Sequence, residues 1–224
     1  MRWPFRPGLV LIDLDGTLID SVPDLAFCVD AMMTRLGRPP WGEAAVRQWV
    51  GNGVERLVQR ALAGSLDGEP DAGEYARAYP LFVELYAAHT SVRSNVYPGV
   101  REGLDWLRAR GYRLGCVTNK AARFTEPLLE RFALRGYFEQ VISGDSLPEK
   151  KPSPLPLLHA ARTFGVAPEA ALMVGDSISD VQAARAAGFV IVCMSYGYNH
   201  GQDIRAASPD ATLDALTELA TLLL

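Results

Sequence analysis

Lysine is nearly absent from this sequence. Only Lys120, Lys150 and Lys151 occur, and the other 19 of the 22 basic residues are arginine. Cysteine and histidine are equally scarce, with three of each. Cys28, Cys116 and Cys193 lie in separate apolar stretches, none in a CxxC spacing. Their number is odd, so they read as buried free thiols in a reducing cytoplasm and not as a disulfide scaffold or zinc site. His89, His159 and His200 lack HExxH or HxH spacing. They are not a metal set, although sequence distance leaves a place in a site open to any one of them. Long apolar runs are missing too. After the basic start Met1-Arg-Trp-Pro-Phe-Arg-Pro-Gly8, the run Leu9 to Ile12 stops at Asp13, too short for a signal-peptide core or a membrane span. The formal net charge of -4 gives no basic footprint for nucleic acid or anionic lipid. The expectation is a cytoplasmic protein with neither nucleic-acid nor membrane partners.

What is present is a globular composition. The 224 residues are 49% hydrophobic and 21% charged, which excludes disorder, collagen-like repeats and a coiled-coil rod. Short, mostly apolar runs read as strands covered on both faces: Leu9–Ile12, Arg113–Val117, Gln140–Ile142, Ala171–Val174 and Val190–Cys193. Helical patterns lie between them and stop at glycine: Val100–Arg110 at Gly111, Leu155–Phe164 at Gly165, and Ser179–Ala187 at Gly188. That alternation predicts an α/β fold with a doubly wound, mostly parallel, Rossmann-like sheet. Residues 21–94 break the rhythm. They carry no convincing strand and read as helices over Pro23–Leu36, Glu43–Val50, Val54–Ala63 and Glu74–Ala88. The predicted organisation is therefore a core of residues 1–20 and 95–224, with a helical insertion at 21–94.

Three strand-like runs end in the same way: Ile12-Asp13, Val117-Thr118 and Gly175-Asp176. In open parallel sheets, ligands bind beyond the carboxyl ends of the strands, so these polar residues converge on one crevice. Asp13 and Asp15 stand two apart, and Asp176 and Asp180 follow another strand. Asp15-Gly16 alone would read as a turn. Four carboxylates in one crevice, however, repel one another unless a cation binds. Magnesium suits such an oxygen-rich site and bridges to phosphate oxygens. With a phosphate ester bound, Asp13 becomes a nucleophile forming an aspartyl-phosphate, and Asp15 an acid/base. Thr118, Asn119 and neighbouring N–H groups would hold the transferring oxygens, and Lys151 would neutralise their charge.

Asp13-Leu-Asp-Gly-Thr-Leu18, Val117-Thr-Asn119, Lys151-Pro152 and Gly175-Asp-Ser-Ile-Ser-Asp180 resemble, in order, the four motifs of the haloacid dehalogenase superfamily. The resemblance implies magnesium held by Asp13, the Asp15 backbone carbonyl and Asp176, with Asp180 auxiliary. It also implies that 21–94 is a C1-type cap. Nearly the whole chain is similar to bacterial phosphoglycolate phosphatases, through Asp20-Ser-Val-Pro-Asp-Leu25, Trp49-Val-Gly-Asn-Gly53, Tyr97-Pro-Gly-Val100, Val117-Thr-Asn-Lys120, Lys150-Lys-Pro-Ser-Pro154 and Tyr196-Gly-Tyr-Asn199. The implied reaction is hydrolysis of 2-phosphoglycolate, a small phosphorylated metabolite, by a monomer or homodimer. Rivals are a pyrophosphatase, a phosphohexomutase or another phosphatase on the same scaffold, and, from a different class, a catalytically silent phosphometabolite-binding protein.

Lesser features divide between function and framework. Gly51, Asn52 and Gly53 form either an interhelix turn or a cap loop that meets the substrate. Lys120 reads as a solvated lysine at a helix start, with phosphate contact as the other reading. Lys150 reads as a surface neighbour of Lys151. Trp41, Trp49, Trp106, Tyr75 and Tyr86 read as core. Tyr196-Gly-Tyr198 borders the site or simply turns after the last buried strand. Gly144-Asp-Ser-Leu-Pro148 departs from the family pattern with no visible mechanistic consequence.

Overall fold

The computed structural model describes residues 4–224. Met1 to Trp3, the first part of the basic start, lie outside them. Six strands form one parallel sheet in the order β5-β4-β1-β6-β7-β8. They are β1 (Leu9–Ile12), β4 (Leu114–Val117), β5 (Gln140–Ile142), β6 (Ala171–Gly175), β7 (Val190–Met194) and β8 (Ala211–Leu213). Residue alternation sends the two sides of each strand into different cores. Val10 and Ile12 pack with Leu104, Leu107 and Leu128. Leu9 and Leu11 pack with Leu157, Ala160 and Ala184. The first set belongs to helices α5 (Val100–Ala109) and α6 (Ala122–Arg131), the second to α7 (Leu155–Phe164) and α8 (Ile178–Ala187). A sheet covered on both faces explains why its central strands β1, β4, β6 and β7 are apolar and buried throughout.

The chain leaves and re-enters this core through a two-stranded antiparallel ribbon, β2 (Ile19–Asp20) with β3 (Asn95–Val96). Between them stand α1 (Val22–Arg35), α2 (Glu43–Trp49), α3 (Val54–Ala63) and α4 (Ala72–His89), which share an apolar cluster that includes Met32, Leu57, Phe82 and Tyr86. The buried Asp24 ties the two crossings together. Its carboxylate accepts from Arg93 N and Ser94 N, each at 2.9 Å, and from Ser94 Oγ. Phe124 of α6 joins the helical cluster and meets Tyr86 with ring centroids 4.8 Å apart, so a side chain of the sheet layer seats the helices.

The three cysteines are free and buried. Trp49 and Tyr86 are core residues. Trp41 departs from that expectation, at 37% exposed; it lies edge-on to Trp49 and donates its indole N–H to Ala61 O. Among the described residues, no helix is long and apolar enough to cross a membrane.

Candidate active site

β1 pairs with β4 on one side and β6 on the other, so Ile12 lies level with Cys116 and Val174. The next residues, Asp13 and Thr118, and Asp176 just beyond β6, leave the sheet together at its carboxyl edge. The strand order reverses here, with later strands added first on one side of β1 and then on the other, and the splayed connections open a crevice.

Asp13, Asp176 and Asp180 are buried, with carboxylate oxygens within 4.8 Å of one another. The Lys151 ammonium stands 2.8 Å from Asp13 Oδ1 and 2.7 Å from Asp180 Oδ1. It also donates to Val117 O at 2.7 Å. Asp180 is fully engaged, since its Oδ2 accepts from Ser177 N at 3.1 Å and Ser177 Oγ at 2.7 Å. Asp176 accepts from Thr17 Oγ1 at 2.8 Å and Tyr198 N at 2.6 Å. Its surroundings require glycine. A Cβ on Gly16, where φ is +88°, or on Gly197 would come within 2.3 Å and 2.2 Å of the Asp176 side chain.

Burial, opposed by Lys151 and reinforced by Asp180, pushes the Asp13 carboxyl up to about 7. Burial, with Asp13 and Asp180, drives Asp176 upward as well. Burial works against the charge of Lys151, but Asp13 and Asp180 outweigh it and raise the lysine. One ammonium among three buried carboxylates leaves negative charge uncompensated, and the all-oxygen donor set fits a hard divalent cation.

Asp15 lies outside this carboxylate cluster but in the same cleft. Lys120 Nζ reaches its two oxygens at 3.1 and 3.2 Å. Lys120 is not solvated, contrary to the sequence expectation. It is 4% exposed, donates to the Tyr86 hydroxyl of α4, and lies 4.8 Å from that ring's centroid. Tyr86 is thus core for most of its surface and polar at the cleft. Lys150 is half-exposed and faces Glu55 of α3 at 3.8 Å. All three lysines of the chain therefore gather where sheet and helices meet.

Thr118 is buried and its Oγ1 accepts from Lys120 N at 3.2 Å. Asn119 donates Nδ2 to Lys151 O at 2.8 Å and so clamps the lysine's backbone. The Gly144 segment does have a consequence here. Gly144 N donates to Lys120 O and Asp145 accepts from Ala122 N, both at 2.8 Å. A Cβ at Gly144 would come within 2.2 Å of Asn119 O, so this loop shapes the Thr118–Lys120 turn.

The cleft, about 680 Å³ including its open mouth, is bounded on the helical side by Leu25, Val50, Gly51, Asn52, Gly53, Val54 and Leu57. The Gly51–Gly53 turn thus faces Asp13, Asp15 and Thr118. Tyr198 and His200 border it as well. The Tyr198 hydroxyl donates to Asp20 and accepts from Ser21 N at 2.9 Å and Val22 N at 3.3 Å. His200 bonds Gln48 O through Nδ1 at 2.9 Å; a carbonyl only accepts, so Nδ1 carries the proton. Burial lowers this imidazole's pKa.

Charged groups clustered beyond the strand ends, beneath a helical layer, are the arrangement of a Rossmann-like α/β enzyme. The haloacid dehalogenase-like hydrolase family model matches residues 7–188, and the chain belongs to that family. It is similar to a phosphoglycolate phosphatase of Nitrosococcus oceani, 64% identical over 218 residues and 97% of each chain. A phosphoglycolate phosphatase of Nitrosospira multiformis is 49% identical over 100% of this chain and 98% of its own. A solved structure, described as a predicted phosphoglycolate phosphatase from Haemophilus somnus 129pt, superposes with a TM-score of 0.90 at 35% identity, covering 97% of both chains.

Proposed function

We propose that the protein is a magnesium-dependent phosphomonoester phosphatase that hydrolyses 2-phosphoglycolate to glycolate and phosphate through an aspartyl-phosphate on Asp13. The observation that carries this reading is the Lys151 ammonium set between Asp13 and Asp180, with Asp176 in the same buried cluster. Such a site is short of positive charge until a cation and a phosphoryl group arrive with their complementary demands. The relatives named as phosphoglycolate phosphatases support the choice of substrate.

Magnesium would be held by Asp13, Asp176 and the Asp15 backbone carbonyl, with Asp180 orienting Lys151 instead of binding directly. When bound, it supplies Lewis-acid neutralisation of phosphoryl charge. The protein's own groups do the rest. Lys151, locked by Asp180, Val117 O and the Asn119 clamp, neutralises the nucleophile and a phosphoryl oxygen. Thr118 and neighbouring N–H groups hold the other oxygens. An Asp13 oxygen attacks phosphorus as the ester P–O bond breaks, and Asp15 protonates the departing glycolate oxygen. Asp15 then takes a proton from the water that opens the aspartyl-phosphate, releasing phosphate and restoring Asp13. Lys120 holds the Asp15 side chain in place, as the acid that gives up its proton in the first step and as the carboxylate that accepts one in the second. Residues 21–94 act as a cap on the core of 1–20 and 95–224; their separate apolar cluster and the β2–β3 crossing support that division.

The test is a panel of phosphate esters and pyrophosphate assayed with and without magnesium. Phosphate release from 2-phosphoglycolate, lost on chelation and restored by magnesium, is expected. Preferred release from pyrophosphate, phosphoryl transfer to a sugar hydroxyl instead of water, or binding without release would overturn the reading in favour of the corresponding rival.

A further inference from the structure

Arg60 is a buried arginine, 6% exposed, that the mechanism above does not use. Its partners are not carboxylates. Nη1 donates to Trp49 O at 2.7 Å and Gly51 O at 3.2 Å, Nη2 to Asn52 Oδ1 at 3.1 Å, and Nε to Leu66 O at 3.0 Å. Burying a guanidinium against neutral dipoles is costly unless its geometry serves a purpose. Its pKa is lowered by burial and by Arg56, yet a guanidinium keeps its charge at neutral pH.

What it grips is a loop in left-handed conformation. Gly51, Asn52 and Gly53 all have positive φ, at 129°, 64° and 92°, and Asn52 takes this conformation without the freedom of glycine. The loop lines the cleft and Arg60 does not, so the arginine stands behind it. Carbonyl and N–H point in opposite directions across a trans peptide. Turning Gly51 O toward Arg60 therefore turns Asn52 N–H away, to the side where the loop borders the cleft. Among the described residues, the N–H groups of Gly51, Asn52 and Gly53 donate to no protein atom. The helical side chains around them, Leu25, Val54 and Leu57, carry no donor; Lys120 is committed to Asp15, Lys150, beside Gly53, faces Glu55 at 3.8 Å, and Asn52 Nδ2 donates to Ser179 Oγ at 3.2 Å.

We infer that Arg60 is a positioning residue that presets the Gly51–Gly53 loop, so that the Asn52 amide, backed by the guanidinium charge, receives a carboxylate at the non-reacting end of the substrate. This rests on the phosphatase reading and deepens it: the substrate class is a short phosphate ester with a carboxylate one carbon away. Ethyl phosphate replaces that carboxylate by methyl and is the natural control.

The experiment compares 2-phosphoglycolate with ethyl phosphate in the full-length wild type, Arg60→Lys and Arg60→Met, with thermal melting as a folding control. In wild type the carboxylate ester is preferred. In Arg60→Lys, one ammonium cannot reach all four acceptors, and the ratio of kcat/KM for the two esters falls about tenfold, mainly through KM for 2-phosphoglycolate. Arg60→Met lowers the ratio further; if it does not fold, Arg60→Lys decides alone. Equal losses on both esters, or no loss, in a folded Arg60→Lys overturn this inference and leave the phosphatase reading intact. Wild type that hydrolyses ethyl phosphate yet gains nothing from the carboxylate overturns the assigned substrate and this inference together.

Discussion

The strand-end wall of the cleft presents Asp13, Asp15, Lys120, Lys151 and Asp176, each braced by at least one other side chain. The helical wall opposite offers Leu25, Val50, Val54, Leu57 and the bare backbone of Gly51–Gly53. The difference follows from what each wall must do. Groups that exchange charge and protons lose much of their effect when displaced by about 1 Å, so they are cross-linked to the rigid sheet. A wall that excludes water and meets the rest of a substrate can be apolar and carried on a separate layer. Tyr86 and Tyr198 couple the two, the first to Lys120 and the second to Asp20 and the start of α1.

Asp13→Asn tests the comparison hardest. It keeps the volume and removes the proposed nucleophile, and kcat/KM should fall by at least about 10⁴-fold while calorimetry still detects substrate binding. Turnover within about a hundredfold of wild type would move the chemistry off this wall. Lys120→Met comes next, with kcat lower by roughly 10²-fold because Asp15 loses the ammonium that meets both its oxygens, whereas Tyr86→Phe, altering only the helical end of that contact, should cost severalfold. Equal losses in steady-state kinetics would mean that the walls act as one unit. The smallest effect is expected from Tyr198→Phe. It removes the bond to Asp20 and the acceptor for the Ser21 and Val22 amides but leaves Tyr198 N on Asp176. Urea unfolding should report about 1–2 kcal/mol of lost stability, with activity reduced by less than tenfold.

Much of the sheet could be read from the chain because its strands are buried on both faces. Leu9–Ile12 and Gln140–Ile142 fall where their apolar runs lie, and α3 and α7 match their patterns from first residue to last. Other elements had no local signal. β2 and β3 have two residues each, too few for any periodicity, and β8 has three. Helix α6 carries Pro127 within Ala122–Arg131, which interrupts a helical reading, and its Phe124 meets Tyr86 of the distant α4. Gly144 looked incidental because the atom it makes room for, Asn119 O, is remote in sequence.

Lysine scarcity illustrates the same division. The sequence by itself singled out Lys151 through its motif and placed Asp13, Thr118 and Asp176 at strand ends, since strand period and residue type are local properties. Only the tertiary structure decided that Lys120 is buried beside Asp15, that Lys150 faces Glu55, and that Arg60 grips four oxygens behind the loop. A charged side chain's environment depends on which remote dipoles and charges surround it, and that is set when the helical layer packs against the sheet.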